Sequence, residues 1–521
     1  MVQDNGNAAV YFVDRHVAEG RGTKPAFVET RGGRQLTYGA LNDQSAQLPD
    51  LLARHNIFAE DRVAVLLPDI IELPVIFWGC LKAGVVPVLL NTLLSNDYYE
   101  IILNDSRVKA LFISPTLLET VGPVLSRIPS LKQVFVVGGD AGEHASFAAE
   151  LAKSMPRATL QTSPDECAFW LYSSGSTGRP KGVRHVHSSL KATSDTFGAQ
   201  VLGIRESDIV LSAAKIFFAY GLGNSMTFPM SVGATTALSA ERPTPDSMFA
   251  ALAEIQPTIF CAVPTLFAAM LAALKDGKSD GVARLRICTS AGEALPEDVG
   301  NRWKAAFGAD ILDGVGSTEM LHIFLANAPG NIVYGTSGVA VPGYEVRLVD
   351  ETGKDITAEG EVGELLVNGP SAAADYWNQR DKSRATFEGT WTRTGDKYER
   401  TGDGRFIYCG RTDDMFKVSG IWVSPFEVEQ ALISHPSVLE AAVIPQRDNE
   451  GLEKPLAVIV LKGEQAVDGL AETLKAHVKE RIGAWKYPRW IEIVPELPKT
   501  ATGKIQRFKL RDQQWASTQE R

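Results

Sequence analysis

From about residue 60 to 315, short apolar runs alternate with amphipathic stretches, and this alternation restricts the chain more than any other feature. DRVAVLLP reads as a buried strand, IELPVIFWGCLKAG as a helix, VVPVLL as a strand and LSNDYYEIILND as a helix. KALFIS and KQVFVVGG are further strands, followed by a helical EHASFAAELAKS. PTIFCAV, PTLFAAMLAALKDG, LRICTSAG and PEDVGNRWKAAFG repeat the pattern. Strands separated by helices require crossover connections. The expected fold class is therefore α/β, with parallel-rich sheets flanked by helices.

The pattern changes twice. After about residue 330, GVAVPGYEVRLVD, GEVGELLVNG and GRFIYCG are short strands between glycine-rich turns, so a β-rich subdomain is expected over about 330–412. Beyond residue 412, PLAVIVLKG, a helix around Gly469–Arg481 and the strand-like WIEIVPELP form a small α+β module. The expected organisation is an N-terminal domain over 1–412 and a C-terminal domain over 413–521. A length of 521 residues accommodates three or four units of about 150 residues, and it buries enough surface to hold a core without cross-links.

Composition removes several classes of function. Acidic residues outnumber basic ones, 62 to 52, and a net charge of −10 argues against nonspecific nucleic-acid binding. Five widely spaced cysteines (Cys80, Cys167, Cys261, Cys288 and Cys409) form no CxxC pair, so neither a disulfide framework nor a zinc site is expected. MVQDNGNAAVYFVDRH lacks the basic start and apolar run of a signal peptide. The most apolar stretch, Ile70 to Leu90, is broken by Glu72, Pro74, Lys82 and Pro87, so no membrane span is expected. The expected location is cytoplasmic, and the expected partners are small molecules.

The strongest chemical signal is the run from Tyr172 to Gly182, YSSGSTGRPKG, which follows the apolar ECAFWL and precedes the helix-like HVHSSLKATSDTF. Its glycines let backbone N–H groups converge on a ligand. Its hydroxyls and Lys181 add donors and positive charge suited to a polyphosphate. The spacing is not that of a Walker A loop. Composition alone also allows a flexible Ser/Gly linker.

This loop resembles the phosphate-binding signature of the acyl-adenylate-forming enzymes, which include acyl-CoA synthetases, adenylation domains and luciferase. Four further motifs occur in that family's order: Gly316-Ser317-Thr318-Glu319, Arg393-Thr394-Gly395-Asp396, Gly410-Arg411-Thr412-Asp413-Asp414 and Pro498-Lys499-Thr500-Ala501-Thr502-Gly503-Lys504. The resemblance spans nearly the whole chain. It implies ATP, Mg2+ and coenzyme A as cofactor and co-substrates.

The resemblance implies a role for each matching residue. Ser173, Ser174, Gly175, Ser176, Thr177 and Lys181 hold the phosphates. Gly292, Glu293, Asp313, Gly314, Ser317 and Thr318 line the nucleotide side. Asp396 and Arg411 meet the ribose; as an isolated pair they read as a surface ion pair worth under about 1 kcal/mol. Glu319 carries the magnesium, a hard cation that takes carboxylate and phosphate oxygens. Lys504, with Glu319 and Thr318, forms the catalytic group. An ammonium at Lys504 offsets the repulsion of the two anions that meet in the first step.

Asp413 is the expected hinge between two half-reactions, and Ser424-Pro425-Phe426-Glu427 reads as a helix start just beyond it. Gly420, Trp485 and Lys486 are assigned to coenzyme A. The acyl pocket is expected from Phe218, Ala219, Tyr220, Gly221, Gly316, His322 and Ile323. This set contains no carboxylate to hold an amino acid's ammonium, and its aromatic members suit a benzene ring. Tyr220 and His322 also read as a hydrogen-bonded core pair. DGVGSTEMLHIFLAN is similar to the same region of benzoate–CoA ligases. Benzoate is therefore the expected acid, with hydroxy-, amino- and fluoro-benzoates as competitors. A module that loads an aryl acid onto a carrier protein, or a nucleotide-binding protein without chemistry, are the other readings.

Overall fold

The computed structural model describes residues 5–174, 180–274, 282–418, 421–448, 452–463, 469–483, 486–499 and 505–511. The chain divides into two compact units. One comprises Met1–Val346, Leu366–Thr394 and Asp403–Phe406; the other comprises Arg347–Leu365, Gly395–Gly402 and Ile407–Arg521.

The first unit holds two large sheets. The strands of one run in the order Asp375–Tyr376, Pro180–Val186, Cys167–Ser174, Val86–Leu89, Arg62–Leu66, Ala110–Ile113, Gln133–Val136 and Ala145–Ser146. Pairing is parallel from Cys167–Ser174 to Ala145–Ser146 and antiparallel at the other edge. In the second sheet, Pro25–Glu29, Thr235–Leu238, Ile209–Ser212, Ile259–Ala262, Ile287–Ser290 and Asp310–Gly316 are parallel. Antiparallel Ile323–Ala326 then pairs with Asp310–Gly316. Strands such as Val86–Leu89 and Ile259–Ala262 are buried at every residue, as expected where helices cover both faces. The helices expected after them are present, among them Glu72–Lys82, Asn96–Ser106, Pro264–Ala273 and Glu297–Phe307.

One local expectation is corrected. The serine–glycine loop does not open directly into a helix: Pro180–Val186 returns as a strand antiparallel to Cys167–Ser174, pairing Ser173 with Lys181, and the helix begins only at His187. The alternating PKGVRHV, with two valines, favours extended backbone over another helical turn.

The β-rich part is a six-stranded sheet of Asp355–Ile356, Glu345–Val349, Gly363–Asn368, Trp391–Arg400 and Phe387–Glu388, with Phe406–Arg411 against Trp391–Arg400. In the second unit, Val438–Arg447, Glu453–Leu461 and Trp490–Ile493 form a three-stranded sheet. Helices Pro425–Ile433 and Leu470–Ile482 share its apolar core. Ser424 Oγ caps the first of these by accepting the Glu427 amide at 3.1 Å. The Glu427 carboxylate turns instead to Lys486, at 2.6 and 2.8 Å. No helix among the described residues is long and apolar enough to cross a membrane.

Candidate active site

The expected nucleotide and acyl residues of the first unit gather after the C-terminal ends of parallel strands, where ligands of such sheets bind. Gly292 and Glu293 follow Ile287–Ser290, and Glu293 accepts the Thr265 hydroxyl at 2.7 Å. Asp313 pairs in register with Ser290 and is almost wholly buried. Burial pushes its carboxyl up to about 7, even though its Oδ2 accepts the Leu295 amide.

A single hairpin carries the next group. Asp310–Gly316 and Ile323–Ala326 are its arms, and Ser317 to His322 form its turn. Gly316 is required by close approach: a Cβ there would meet the His322 carbonyl oxygen at 2.4 Å. The turn is tied internally by the Met320 amide on Ser317 Oγ and the Leu321 amide on the Thr318 carbonyl. His185, stacked on Phe169, meets the Thr318 carbonyl with Nε2 at 2.8 Å. Burial lowers this imidazole to about 4, so it is neutral and donates through Nε2.

Beside this turn three side chains converge. Tyr376 donates its hydroxyl to Glu319 Oε1 at 2.7 Å. Lys181 Nζ lies 3.4 Å from the same hydroxyl, 4.5 Å from the centre of the ring and 3.8 Å from Glu319 Oε1. Strand pairing explains the meeting, since Tyr376 is opposite Val183, two residues from Lys181. The Arg184–Asp375 pair clamps the same edge at 2.5 and 2.6 Å. Ser173 Oγ is buried and has no hydrogen-bond partner among the described residues. Among the described residues no cluster of three metal-ligating side chains exists. The single carboxylate of Glu319 nonetheless fits magnesium, which keeps waters and shares phosphate oxygens.

Three of the seven acyl candidates, Phe218, Tyr220 and His322, carry rings. Phe218, Ala219 and Tyr220 are half-buried, and Gly221, His322 and Ile323 are buried. The segment leading into them is anchored where the Ile216 amide donates to buried Asp69 at 3.2 Å. Tyr220 Oη lies 2.6 Å from Thr289 Oγ1. His322 packs among Phe197, Phe228 and Tyr220, with ring centres 4.5–5.5 Å apart. Its Nε2 is 3.3 Å from the Tyr220 carbonyl, and burial lowers it to about 3. The His322 ring is thus hydrogen-bonded to the Tyr220 backbone and packs beside its ring, the core-pair arrangement.

In the second unit, Arg411 Nη1 donates to Asp396 Oδ1 at 2.8 Å. Asp413 is exposed in a turn closed by the Asp414 and Met415 amides on the Arg411 carbonyl. Gly175, Ser176, Thr177, Gly420, Trp485 and Lys504, and the side chain of Ser174, lie outside the described residues. Tyr376, His185 and Asp69 were not singled out in the sequence. The pairing of Asp375–Tyr376 with the lysine-bearing strand, which brings Tyr376 in, is legible only from the fold.

Residues 14–377 match the AMP-binding enzyme family, and residues 427–504 match its C-terminal domain. The chain belongs to the AMP-binding enzyme family. Within that family it is 54% identical, over 97% of this chain and 94% of the other, to a 4-hydroxybenzoate–CoA/benzoate–CoA ligase of Rhodopseudomonas palustris. Its fold is similar to that of a benzoate CoA ligase from Burkholderia xenovorans LB400 (48% identity, TM-score 0.89, covering 97% and 99% of the two chains). It is also similar to the anthranilate CoA ligase AuaEII in complex with anthranoyl-AMP (40% identity, TM-score 0.92, 98% of each chain).

Proposed function

We propose that this AMP-binding enzyme is an ATP-dependent acid–thiol ligase that joins an aromatic carboxylic acid, benzoate by preference, to coenzyme A and releases AMP and pyrophosphate. The observation that carries the reading is the 54% identity over nearly the full chain to a ligase named for benzoate and 4-hydroxybenzoate. The carboxylate-free aromatic group around His322 supports it, because a benzene ring gains area burial and edge contacts there.

The chemistry has two steps. The acid's carboxylate attacks the α-phosphorus of ATP to give a mixed anhydride, and the thiolate of coenzyme A then displaces AMP. Lys181 and Ser173 are assigned to the departing phosphates, Asp396 and Arg411 to the ribose, and Glu293, Asp313 and Gly314 to the adenine side. Glu319, with Thr318 beside it, would hold magnesium, which supplies charge neutralisation at the phosphates. Lys504 is assigned to the two anions of the first step, Asp413 to the hinge, and Gly420, Trp485 and Lys486 to coenzyme A. The five unpaired thiols suit a reducing cytoplasm.

A second reading, 4-hydroxybenzoate or 2-aminobenzoate, is favoured by Asn224. This residue lies one helical turn beyond Tyr220, is buried, and has the Tyr220 hydroxyl as its one polar side-chain neighbour among the described residues, too loosely placed for a well-formed hydrogen bond. A polar ring substituent would supply a well-placed partner. The test is thioester formation from benzoate, 4-hydroxybenzoate, 2-aminobenzoate and a medium-chain fatty acid, with coenzyme A or a phosphopantetheinyl carrier as acceptor. Aryl-CoA from benzoate is the expected product. Thioester only on the carrier, or only from the fatty acid, would refute the proposal.

A further inference from the structure

Asp69 is almost wholly buried, and burying a carboxylate is costly unless its oxygens are put to use. It stands just after strand Arg62–Leu66 of the first large sheet. Its Oδ1 reaches across to the second sheet, where it accepts the Ile216 amide at 3.2 Å. Ile216 follows strand Ile209–Ser212 and precedes Phe218, the first of the residues assigned to the acid. We infer that Asp69 is a positioning residue for the aromatic acid, setting the 216–223 segment of one sheet from a loop of the other.

The peptide unit between Lys215 and Ile216 is where the carboxylate acts. Its carbonyl accepts the Phe218 amide at 3.0 Å, and Gly221 packs so closely on it that a Cβ there would meet the same oxygen at 2.0 Å. The short helix Ala219–Leu222, with Tyr220 at its centre, is therefore seated on that carbonyl. The N–H of the same unit is the one that Asp69 takes. A peptide unit is planar, so fixing its N–H also fixes the direction of its carbonyl. Lys215 holds the unit from the other side: its ammonium donates to the carbonyls of Ser239 and Glu241, and its charge favours an ionised Asp69. The loop that bears Asp69 has a further tie to the second sheet, since the Ile71 amide donates to Glu29 Oε1 at 3.0 Å and Arg34 fixes Glu29 at 2.6 Å. Without the carboxylate, the Ile216 N–H is left unpaired and the plane can turn. The rings of Phe218 and Tyr220 then shift, while the residues assigned to ATP on other elements stay in place.

This inference rests on the assignment of the 216–223 segment to the acid. Steady-state kinetics on the full chain test it, with KM taken separately for benzoate and for ATP. Asp69→Leu keeps similar bulk and removes the acceptor. KM for benzoate should rise about tenfold, the scale of one buried donor left unpaired, while KM for ATP stays unchanged. Asp69→Asn keeps an oxygen for the Ile216 amide and should bring KM for benzoate back to within about threefold of wild type. Equal rises for both substrates, no rise for benzoate, or an Asn variant as impaired as the Leu variant would overturn the positioning role. Where Asp69→Leu does not fold, Lys215→Met decides. It frees the same peptide unit from Ser239 and Glu241 and should raise KM for benzoate about fivefold with KM for ATP unchanged, and any other pattern refutes the role. Phe218→Ala separates the two layers. If it raises KM for benzoate and Asp69→Leu does not, only the positioning role falls. If Phe218→Ala leaves KM for benzoate unchanged, the assignment of the segment to the acid falls, and the positioning role with it.

Discussion

His185 Nε2 meets the Thr318 carbonyl at 2.8 Å, so a fully buried imidazole on one sheet holds the turn that presents Glu319 on the other. His185→Leu keeps similar bulk and removes the donor. Stability should fall by about 1–3 kcal/mol for the orphaned carbonyl, read by urea unfolding, and KM for ATP should rise. A destabilised variant with wild-type KM would show that the bond supports the fold without positioning the turn.

Gly223 lies against His322 and Phe228, beside the residues assigned to the acid. A Cβ at this position would fall 2.4 Å from His322 Cδ2 and 2.9 Å from Phe228 Cζ. Gly223→Ala therefore forces His322 toward the aromatic group. KM for benzoate should rise roughly tenfold, within the 1–3 kcal/mol range of overpacking, with KM for ATP unchanged. Parallel change in both constants would place His322 outside acid recognition.

Asp396 accepts from Arg411 at 2.8 Å and is assigned to the ribose hydroxyls. Asp396→Asn should raise KM for ATP by about tenfold or more, since hydrogen bonds to a carboxylate are the strong ones. It should also bring ATP and 2′-deoxy-ATP toward parity in kcat/KM. Undiminished preference for the ribonucleotide would remove Asp396 from the ribose.

Lys504→Ala should cut benzoate-dependent ATP–pyrophosphate exchange by about a hundredfold or more, the usual effect of removing a transition-state donor. Thioester formation from preformed benzoyl-AMP should largely survive. Equal losses in both halves contradict the assigned role. Asp413→Pro, which fixes φ at the expected pivot, should impair one half-reaction more than the other.

Acid should loosen the fold before general acid denaturation begins. Burial lowers His16, His185 and His187 to about 4 and His322 to about 3, against an ordinary value of 6.5. The unfolded chain therefore binds protons first, and the stability held by these neutral rings is complete above pH 6.5 and is lost as pH falls toward 4. Asp69 and Asp313, raised by burial to about 6 and 7, act in the opposite sense, but the histidines outnumber them. Urea midpoints should drop from pH 7 through 6 to 5. A flat or rising series would refute this balance.

The alternation of apolar runs was legible because parallel strands covered on both faces are apolar at every residue, and their helices follow in period. Gly316 to Glu319 was legible as a motif, but the hairpin that carries it was not, because its return strand Ile323–Ala326 is a short apolar run without a turn signal of its own. The Pro180–Val186 strand was not, because PKGVRHV mixes charge with β-branched residues and borders a true helix at His187. Tyr376 and His185 were hidden for another reason. Their partners are 57 and 133 residues away, and only strand order and cross-sheet packing bring them together.

Six residues separate Gly316 from Ile323, and within that span sit both the carboxylate assigned to the cation and the ring assigned to the acid. Selectivity toward a new acid and competence with ATP are therefore not independently adjustable on this turn. Variation in acid preference has a safer outlet in the 216–224 segment, which approaches the same ring from the other side and carries none of the residues assigned to ATP.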